Sequence, residues 1–274
     1  MSAYPQTDRQ SVHLYMLPSA ILRSGHGITW LSYVGIAEQT KAAQYRNPED
    51  ALNYAAQQTL MRCIAACALD IRPTHAAHIP VDRTCQLCDP KATHGKPRIS
   101  GINFNMSRSH GMVAGAYFAE DSQDPQAQLL GIDIERMRGN LLDGYDKVTL
   151  TEEEKTIIAE CPEENRTLLR LLLWTAKEAV LKATGHGLVA GPQKVQVKLL
   201  DPPQNLLDIS GYKATGTLNI EGYQQQFYLH WFVQGEFVIA VATNQDRTVK
   251  AHPVTKPYDI KQSIPLSPQR VKTL

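Results

Sequence analysis

Three carboxylates and a lysine carry the most chemistry in this sequence. In Gly131-Ile132-Asp133-Ile134-Glu135 an extended backbone sends alternate side chains to opposite faces, so Asp133 and Glu135 share one face and Ile132 and Ile134 the other. The two carboxylates then stand about 7 Å apart. Like charges that close raise each other's pKa or gather a cation, usually a hard divalent ion with oxygen ligands. A solvated edge neutralised by Arg136 and Arg138 is the other reading. Further along, Leu168, Leu171, Trp174, Glu178 and Leu181 recur at spacings of three and four, so Glu178 projects from an apolar helical stripe, with Arg166, Arg170 and Lys177 as the wet edge. A carboxylate there needs a partner, either Lys182 through an i, i+4 ion pair or a cation. Three carboxylates from two elements, with Lys182, describe a site for Mg²⁺ and a polyphosphate. No Gly-rich Walker sequence is present, so this is not a P-loop chain.

The elements that must position these groups form an α+β pattern. Apolar residues recur at helical spacing from Glu49 to Leu69, and Pro73 follows as a breaker. Residues 73–101 read as loop, Asn103 to Glu120 as β-like with Val113 to Phe118 a buried strand, and Leu129 to Glu135 as a second strand. Thr151-Glu152-Glu153-Glu154 has the capping-box form and opens a helix to Glu160. A longer helix spans Glu163 to Thr184, with Gly185 placed for a left-handed cap. Strand-like runs follow over 194–200, 212–220, 226–233 and 236–243.

The halves are faintly similar, which predicts two α+β lobes, 1–129 and 130–248, followed by a proline-containing tail over 249–274, draped over the surface or disordered. The 274 residues carry 28 Lys and Arg against 27 Asp and Glu, a near-balance that argues against binding nucleic acid by bulk charge. No apolar leader and no spanning segment stands out, so the expectation is a cytoplasmic protein with no membrane contact. Five cysteines are an odd number and read as thiols. Cys85-Gln86-Leu87-Cys88 with His94 lacks a fourth ligand for structural zinc and reads as plain loop.

With these motifs in place, the sequence resembles the 4′-phosphopantetheinyl transferases of the two-lobed, surfactin-synthetase-activating type. Gly131 to Glu135 matches the family's G-x-D-x-E, and Trp174-Thr175-Ala176-Lys177-Glu178-Ala179-Val180-Leu181-Lys182 its W-x-x-K-E-A-x-x-K. Gly185-His186-Gly187-Leu188 and the separation of the two motifs also fit. The resemblance implies a pseudo-twofold pair of lobes with the active site in the cleft between them. It implies transfer of the phosphopantetheine arm of coenzyme A to a serine of an acyl or peptidyl carrier protein, releasing adenosine 3′,5′-bisphosphate. Asp133, Glu135 and Glu178 would hold Mg²⁺, with Mn²⁺ also suited to oxygen ligands. Lys182 would bind an α-phosphate oxygen, and Glu178, or a second glutamate at the position of Glu154, would take the serine proton.

Gly95-Lys96-Pro97 matches the family's G-K-P, and Lys41 and Lys91 fall where it often places basic residues near the adenosine phosphates. Phe104-Asn105-Met106-Ser107 matches F-N-x-S, but Arg108 follows where His is commoner, with Ser109-His110 next. The resemblance therefore offers Arg108 or His110 for the 3′-phosphate, beside Ser107. Asn53 stands where the family often has Arg. Partners are expected to be carrier proteins meeting a monomer. Two other classes use the same features: a Mg²⁺-dependent pyrophosphohydrolase with water as nucleophile, and a non-catalytic carrier- or coenzyme-binding protein.

Overall fold

The structure is a computed structural model that describes residues 11–23, 30–85, 95–119, 128–137, 144–199 and 209–264. Its elements in chain order are β1 (Val12–Pro18), α1 (Ile36–Ala43), α2 (Pro48–Ala68), β2 (Ile102–Ser109), β3 (Met112–Ala119), β4 (Leu130–Arg136), α3 (Tyr145–Thr149), α4 (Glu152–Glu160) and α5 (Glu163–Thr184). There follow β5 (Val195–Lys198), β6 (Lys213–Ile220), β7 (Tyr223–Gln234), β8 (Phe237–Thr243), β9 (Val249–Pro253) and α6 (Pro257–Ser263). The chain divides into two α+β units. One comprises Met1–Thr84, Pro97–Gln123 and Arg247–Leu274, and the other Cys85–Lys96 and Asp124–Asp246. Among the described residues no helix is long and apolar enough to cross a membrane.

The first unit is built on a four-stranded sheet in the order β2-β3-β1-β9, antiparallel except where β1 runs parallel to β9. The β2–β3 hairpin turns at His110 and Gly111, both with positive φ. Helix α2 starts where the Asn47 side chain accepts from the Glu49 amide at 2.9 Å and Pro48 fills the first turn, a position whose amide has no helical acceptor. It buries Leu60, Ile64 and Ala65. Gly115 of β3 lets the sheet approach, since a Cβ there would meet Met106 Sδ at 2.8 Å and Ile64 Cδ1 at 3.0 Å.

The expected tail over 249–274 is corrected here. Residues 249–253 form β9, in register with β1 from Val12↔Val249 to Met16↔Pro253, and 257–263 form α6. Val254 and Ile260 are buried, and the Trp30 indole N–H donates to the Thr255 carbonyl at 2.9 Å. Of the prolines that suggested a tail, Pro253 and Pro257 sit at the last position of a strand and the first turn of a helix, where a missing amide costs little. Residues 265–274 lie outside the described residues.

The second unit carries a five-stranded antiparallel sheet in the order β4-β8-β7-β6-β5, with α5 packed on it. Leu172, Ala176, Ala179 and Val180 face Phe227, Leu229 and Trp231 in one apolar core. The buried Trp231 indole donates to Thr175 Oγ1 at 3.1 Å, and that hydroxyl donates back to the Leu171 carbonyl at 3.0 Å. Gly185 caps α5 in the left-handed region at φ 81°, as its position in the sequence predicts.

The tightest approach is at Gly131, where a Cβ would lie 1.9 Å from the Ala179 carbonyl oxygen and 2.4 Å from the Ala183 nitrogen. Both contacts are helix backbone and cannot swing aside. Gly131→Ala should therefore cost about 3 kcal/mol or more, whereas Gly216→Ala, whose Cβ meets one tight neighbour, the movable Leu229 Cδ1 at 3.2 Å, should cost far less. Urea denaturation of both variants checks this. A second prediction concerns His230 on β7, which burial pushes down to about 4 from its ordinary 6.5. The unfolded chain takes up this proton near pH 6.5 and the folded chain does not. The group's stabilisation, about 2–3 kcal/mol, is thus full above that pH and drains as pH falls toward 4. His230→Gln should flatten this part of the profile of unfolding free energy against pH.

Candidate active site

The close approach of β4 to α5 fixes which side chains meet. Register along β4 turns Asp133 and Glu135 the same way, and one turn of α5 separates Glu178 from Lys182. The Lys182 ammonium lies 2.6 Å from Asp133 Oδ1 and 3.9 Å from Glu178 Oε2. Asp133 and Glu178 are buried, while the Lys182 side chain keeps 30% exposure. Glu135 lies at the more open end of the strand, with Trp174 Nε1 3.5 Å from its Oε1. Tyr145 packs tilted against Trp174, with 5.9 Å between centroids and 58° between the ring planes, and donates its hydroxyl to the Arg170 carbonyl. Arg170 in turn grips Asp146 through two bonds of 2.7 Å, which pins α3 to α5.

Three carboxylates in this space set the electrostatics. Burial pushes the Glu178 carboxyl up to about 7, Lys182 opposes the shift, and Asp133 and Glu135 add to it. Burial works against the Lys182 ammonium, but Asp133 and Glu178 lift it above its ordinary value. Arg136 does not neutralise the carboxylates, because it pairs with Glu236 at 3.0 Å; Arg138 lies outside the described residues. Among the described residues no three His, Cys, Asp or Glu side chains are already gathered as a metal cage, and Lys182 takes the place beside Asp133. The donor set nonetheless fits a hard divalent ion. It offers oxygen only, from carboxylates of which Glu178 is raised chiefly by burial and further by Asp133 and Glu135.

Lys177 corrects an expectation. It is fully buried, not on a wet edge, and its ammonium pairs with Glu154 Oε2 at 2.8 Å while donating to the Pro192 carbonyl at 3.2 Å and to that of Val195. The C-terminal half of α5 is covered on nearly every side, so no solvent-facing stripe exists there.

Glu154 is corrected with it. Its Oε2 also accepts from the Thr151 amide at 2.9 Å, completing the capping box, and its Oε1 accepts from the Val197 amide at 2.9 Å. With 1% exposure and both oxygens engaged, Glu154 ties α4, α5 and β5 together and has no path to a substrate proton.

Lys96 belongs to the same unit, and its ammonium donates to the Leu130 carbonyl at 2.8 Å and the Ala183 carbonyl at 3.2 Å. Those carbonyls flank the Gly131 contact, so this lysine joins β4 to the end of α5. Its expected phosphate role must share a side chain already bound to backbone. Lys91, Cys88 and His94 lie outside the described residues.

The remaining expected phosphate ligands belong to the first unit. Arg108 donates to Gln57 Oε1 at 3.1 Å and stands 5.9 Å over the Tyr54 ring, on the α2 side of the sheet. Ser107, its neighbour in β2, is buried on the opposite face, as strand alternation requires. His110 is exposed at the hairpin turn with Ser109 Oγ 2.9 Å from its Nδ1, Pro97 is half-buried, and Lys41 is exposed on α1. Asn53 lies on the first half of α2. Arg83, which the sequence reading passed over, donates to Gln58 Oε1 at 3.1 Å, beside Gln57 of the Arg108 bond. Only its place in a loop hinted at this.

Residues 129–242 match the family model of the 4′-phosphopantetheinyl transferase superfamily. The 4′-phosphopantetheinyl transferase HetI of a Nostoc species is 25% identical over 169 residues, 59% of this chain and 63% of that protein. The 4′-phosphopantetheinyl transferase psf-1 of Bacillus pumilus is 28% identical over 124 residues, 44% of this chain and 49% of that protein. The L-aminoadipate-semialdehyde dehydrogenase-phosphopantetheinyl transferase of Schizosaccharomyces pombe is 25% identical over 221 residues, 77% of this chain and 83% of that protein. The chain thus spans less than two thirds of the length of the first two relatives.

The buried pair makes a testable point about structure against catalysis. Lys177→Met leaves Glu154 charged and without its cation, and should cost about 3–5 kcal/mol. Adding Glu154→Leu to it should recover a large part. Chemical denaturation of the single and double variants measures both.

Proposed function

We propose that this chain transfers the 4′-phosphopantetheine arm of coenzyme A to a serine of an acyl or peptidyl carrier protein, a reading supported by the match of residues 129–242 to the family model of the 4′-phosphopantetheinyl transferase superfamily. The other product is adenosine 3′,5′-bisphosphate. The observation that carries this reading is the cluster of Asp133, Glu135, Glu178 and Lys182 on facing elements of one unit, in the residues the family model covers.

The reaction is a displacement at phosphorus. The serine oxygen forms a bond to the β-phosphorus, the bond from that phosphorus to the oxygen bridging it to the α-phosphate breaks, and the serine proton leaves to a base. Asp133, Glu135 and Glu178 would hold Mg²⁺, which when bound offsets the charge of the pyrophosphate. Lys182 is fixed at its root by α5 and at its tip by Asp133, so its ammonium is preorganised to donate to a non-bridging phosphate oxygen. Glu178 would be the carboxylate that takes the serine proton. Trp174 and Tyr145 wall the Glu135 side with aromatic surface. Catalysis is then positioning and charge stabilisation, with little covalent work for the protein. Carrier proteins are generally acidic, so the partner is expected to meet a local basic rim.

Intact-mass spectrometry of several apo carrier proteins incubated with this chain, coenzyme A and Mg²⁺ tests the proposal. The expected result is a gain of one phosphopantetheine, lost in EDTA. Cleaved coenzyme A with no modified carrier would replace the transferase by a hydrolase. Asp133→Ala and Glu178→Ala should each slow transfer about 100-fold or more with an unchanged circular dichroism spectrum. Full activity in either variant at physiological Mg²⁺ would remove that residue from the site.

A further inference from the structure

The two bonds of Lys96 end on residues that adjoin the carboxylate cluster in the chain. Its ammonium donates to the Leu130 carbonyl at 2.8 Å and to the Ala183 carbonyl at 3.2 Å. Ala183 is the last residue but one of α5, among the carbonyls that a helix end leaves without an intrahelical donor. A cation there also meets the negative end of the helix dipole. Leu130 opens β4, the edge strand of its sheet, which has a neighbouring strand on one side only. Pro97 follows Lys96 and favours an extended lysine backbone, so the root of the side chain is restrained as well as its tip.

Ala183 directly follows Lys182, and Leu130 precedes Asp133 by three residues, about 10 Å along a strand. Between the two acceptors lies Gly131, where the backbones of β4 and α5 meet with no side chain between them. A glycine contact brings the elements close but offers no interdigitating side chain to resist sliding of one along the other. One ammonium bonded to a carbonyl of each element supplies that resistance, and with it a fixed approach of Lys182 to Asp133 at 2.6 Å.

We propose that Lys96 is a positioning residue for phosphopantetheine transfer, which holds Asp133 and Lys182 in register through Leu130 and Ala183 and keeps those bonds when coenzyme A is present. The inference rests on the function proposed above, and it departs from the resemblance, which makes Lys96 a phosphate ligand. Reacting groups misplaced by about 1 Å lose about 100-fold in rate. The tether therefore acts on the chemical step and not on the affinity for coenzyme A.

The test compares the full chain with Lys96→Met and Lys96→Arg in transfer to a carrier protein over a range of coenzyme A concentrations, with Mg²⁺. Lys96→Met should lower kcat about 10- to 100-fold, with KM for coenzyme A changed less than about threefold. Lys96→Arg, whose guanidinium can donate to both carbonyls, should recover most of kcat. Mn²⁺ binding without coenzyme A, followed by electron paramagnetic resonance, is the second readout. It should weaken in Lys96→Met because the carboxylates lose register, whereas loss of a positive charge alone would tighten it. A raised KM with unchanged kcat would make Lys96 a phosphate ligand and overturn the proposal, as would unchanged kcat in a variant that is merely less stable to urea. If the unaltered chain modifies no carrier, the transferase reading has failed and Mn²⁺ binding still decides: weaker binding in Lys96→Met supports the tether, and equal or tighter binding overturns it. Should Lys96→Met fail to fold, nuclear magnetic resonance of the unaltered chain labelled with ¹⁵N-lysine decides. On addition of coenzyme A the Lys96 Nζ resonance should keep its position, and a displaced resonance would overturn the proposal.

Discussion

Backbone meets backbone at Gly131, and the arrangement of the second unit follows from that contact. A hydrogen in place of a side chain lets β4 lie against α5 so closely that a Cβ would sit 1.9 Å from the Ala179 oxygen. At that separation the side chains of β4 that face the helix end meet those of the helix directly, and Lys182 reaches Asp133 at 2.6 Å. Lys96 fastens the same junction by bonding to the Leu130 and Ala183 carbonyls. The glycine that opens the acidic motif is thus a packing residue, and the carboxylates two and four positions later owe their placement to it.

Helical geometry divides the labour of α5 between two lysines. Lys177 and Lys182 are five residues apart, about 140° around the helix at 3.6 residues per turn, so they cannot serve one face. Lys177 points into the protein and is matched by Glu154, a fully desolvated pair worth keeping only because the Thr151 and Val197 amides and two carbonyls satisfy the rest of its valences. Lys182 emerges at the mouth of the carboxylate cluster with part of its side chain in solvent. One ion pair is sealed inside the fold and the other opens to solvent. Glu154 illustrates how a residue type suited to catalysis can be spent wholly on architecture.

Much of the second unit was legible in the sequence. The long helix over 163–184, its glycine cap and the alternation of Asp133 and Glu135 follow from local periodicity, which the structure reproduces. What depends on distant partners was not legible. Lys177 looks like surface charge because its counter-ion is on another helix, and the prolines of 253 and 257 look like a tail because only β1, a strand remote in sequence, shows where they dock. That strand was itself recoverable, since Val12, Leu14, Tyr15, Met16 and Leu17 make an apolar run broken by His13 alone, although short runs of this kind do not by themselves distinguish strand from helix. The role of Lys96 was hidden for a related reason. A lysine in a loop suggests an anion, and nothing local shows that its nearest acceptors are carbonyls.

The central claim is that side chains of β4 and α5 form a single cation-dependent site for a pyrophosphate. It is tested most directly by a crystal of this chain grown with coenzyme A and Mn²⁺ and measured for anomalous scattering. The account predicts one strong anomalous peak in contact with Asp133, Glu135 and Glu178, with a phosphate oxygen against Lys182. Bound coenzyme A with no peak at those carboxylates, or with Lys182 still closed on Asp133 and away from the phosphates, would contradict it.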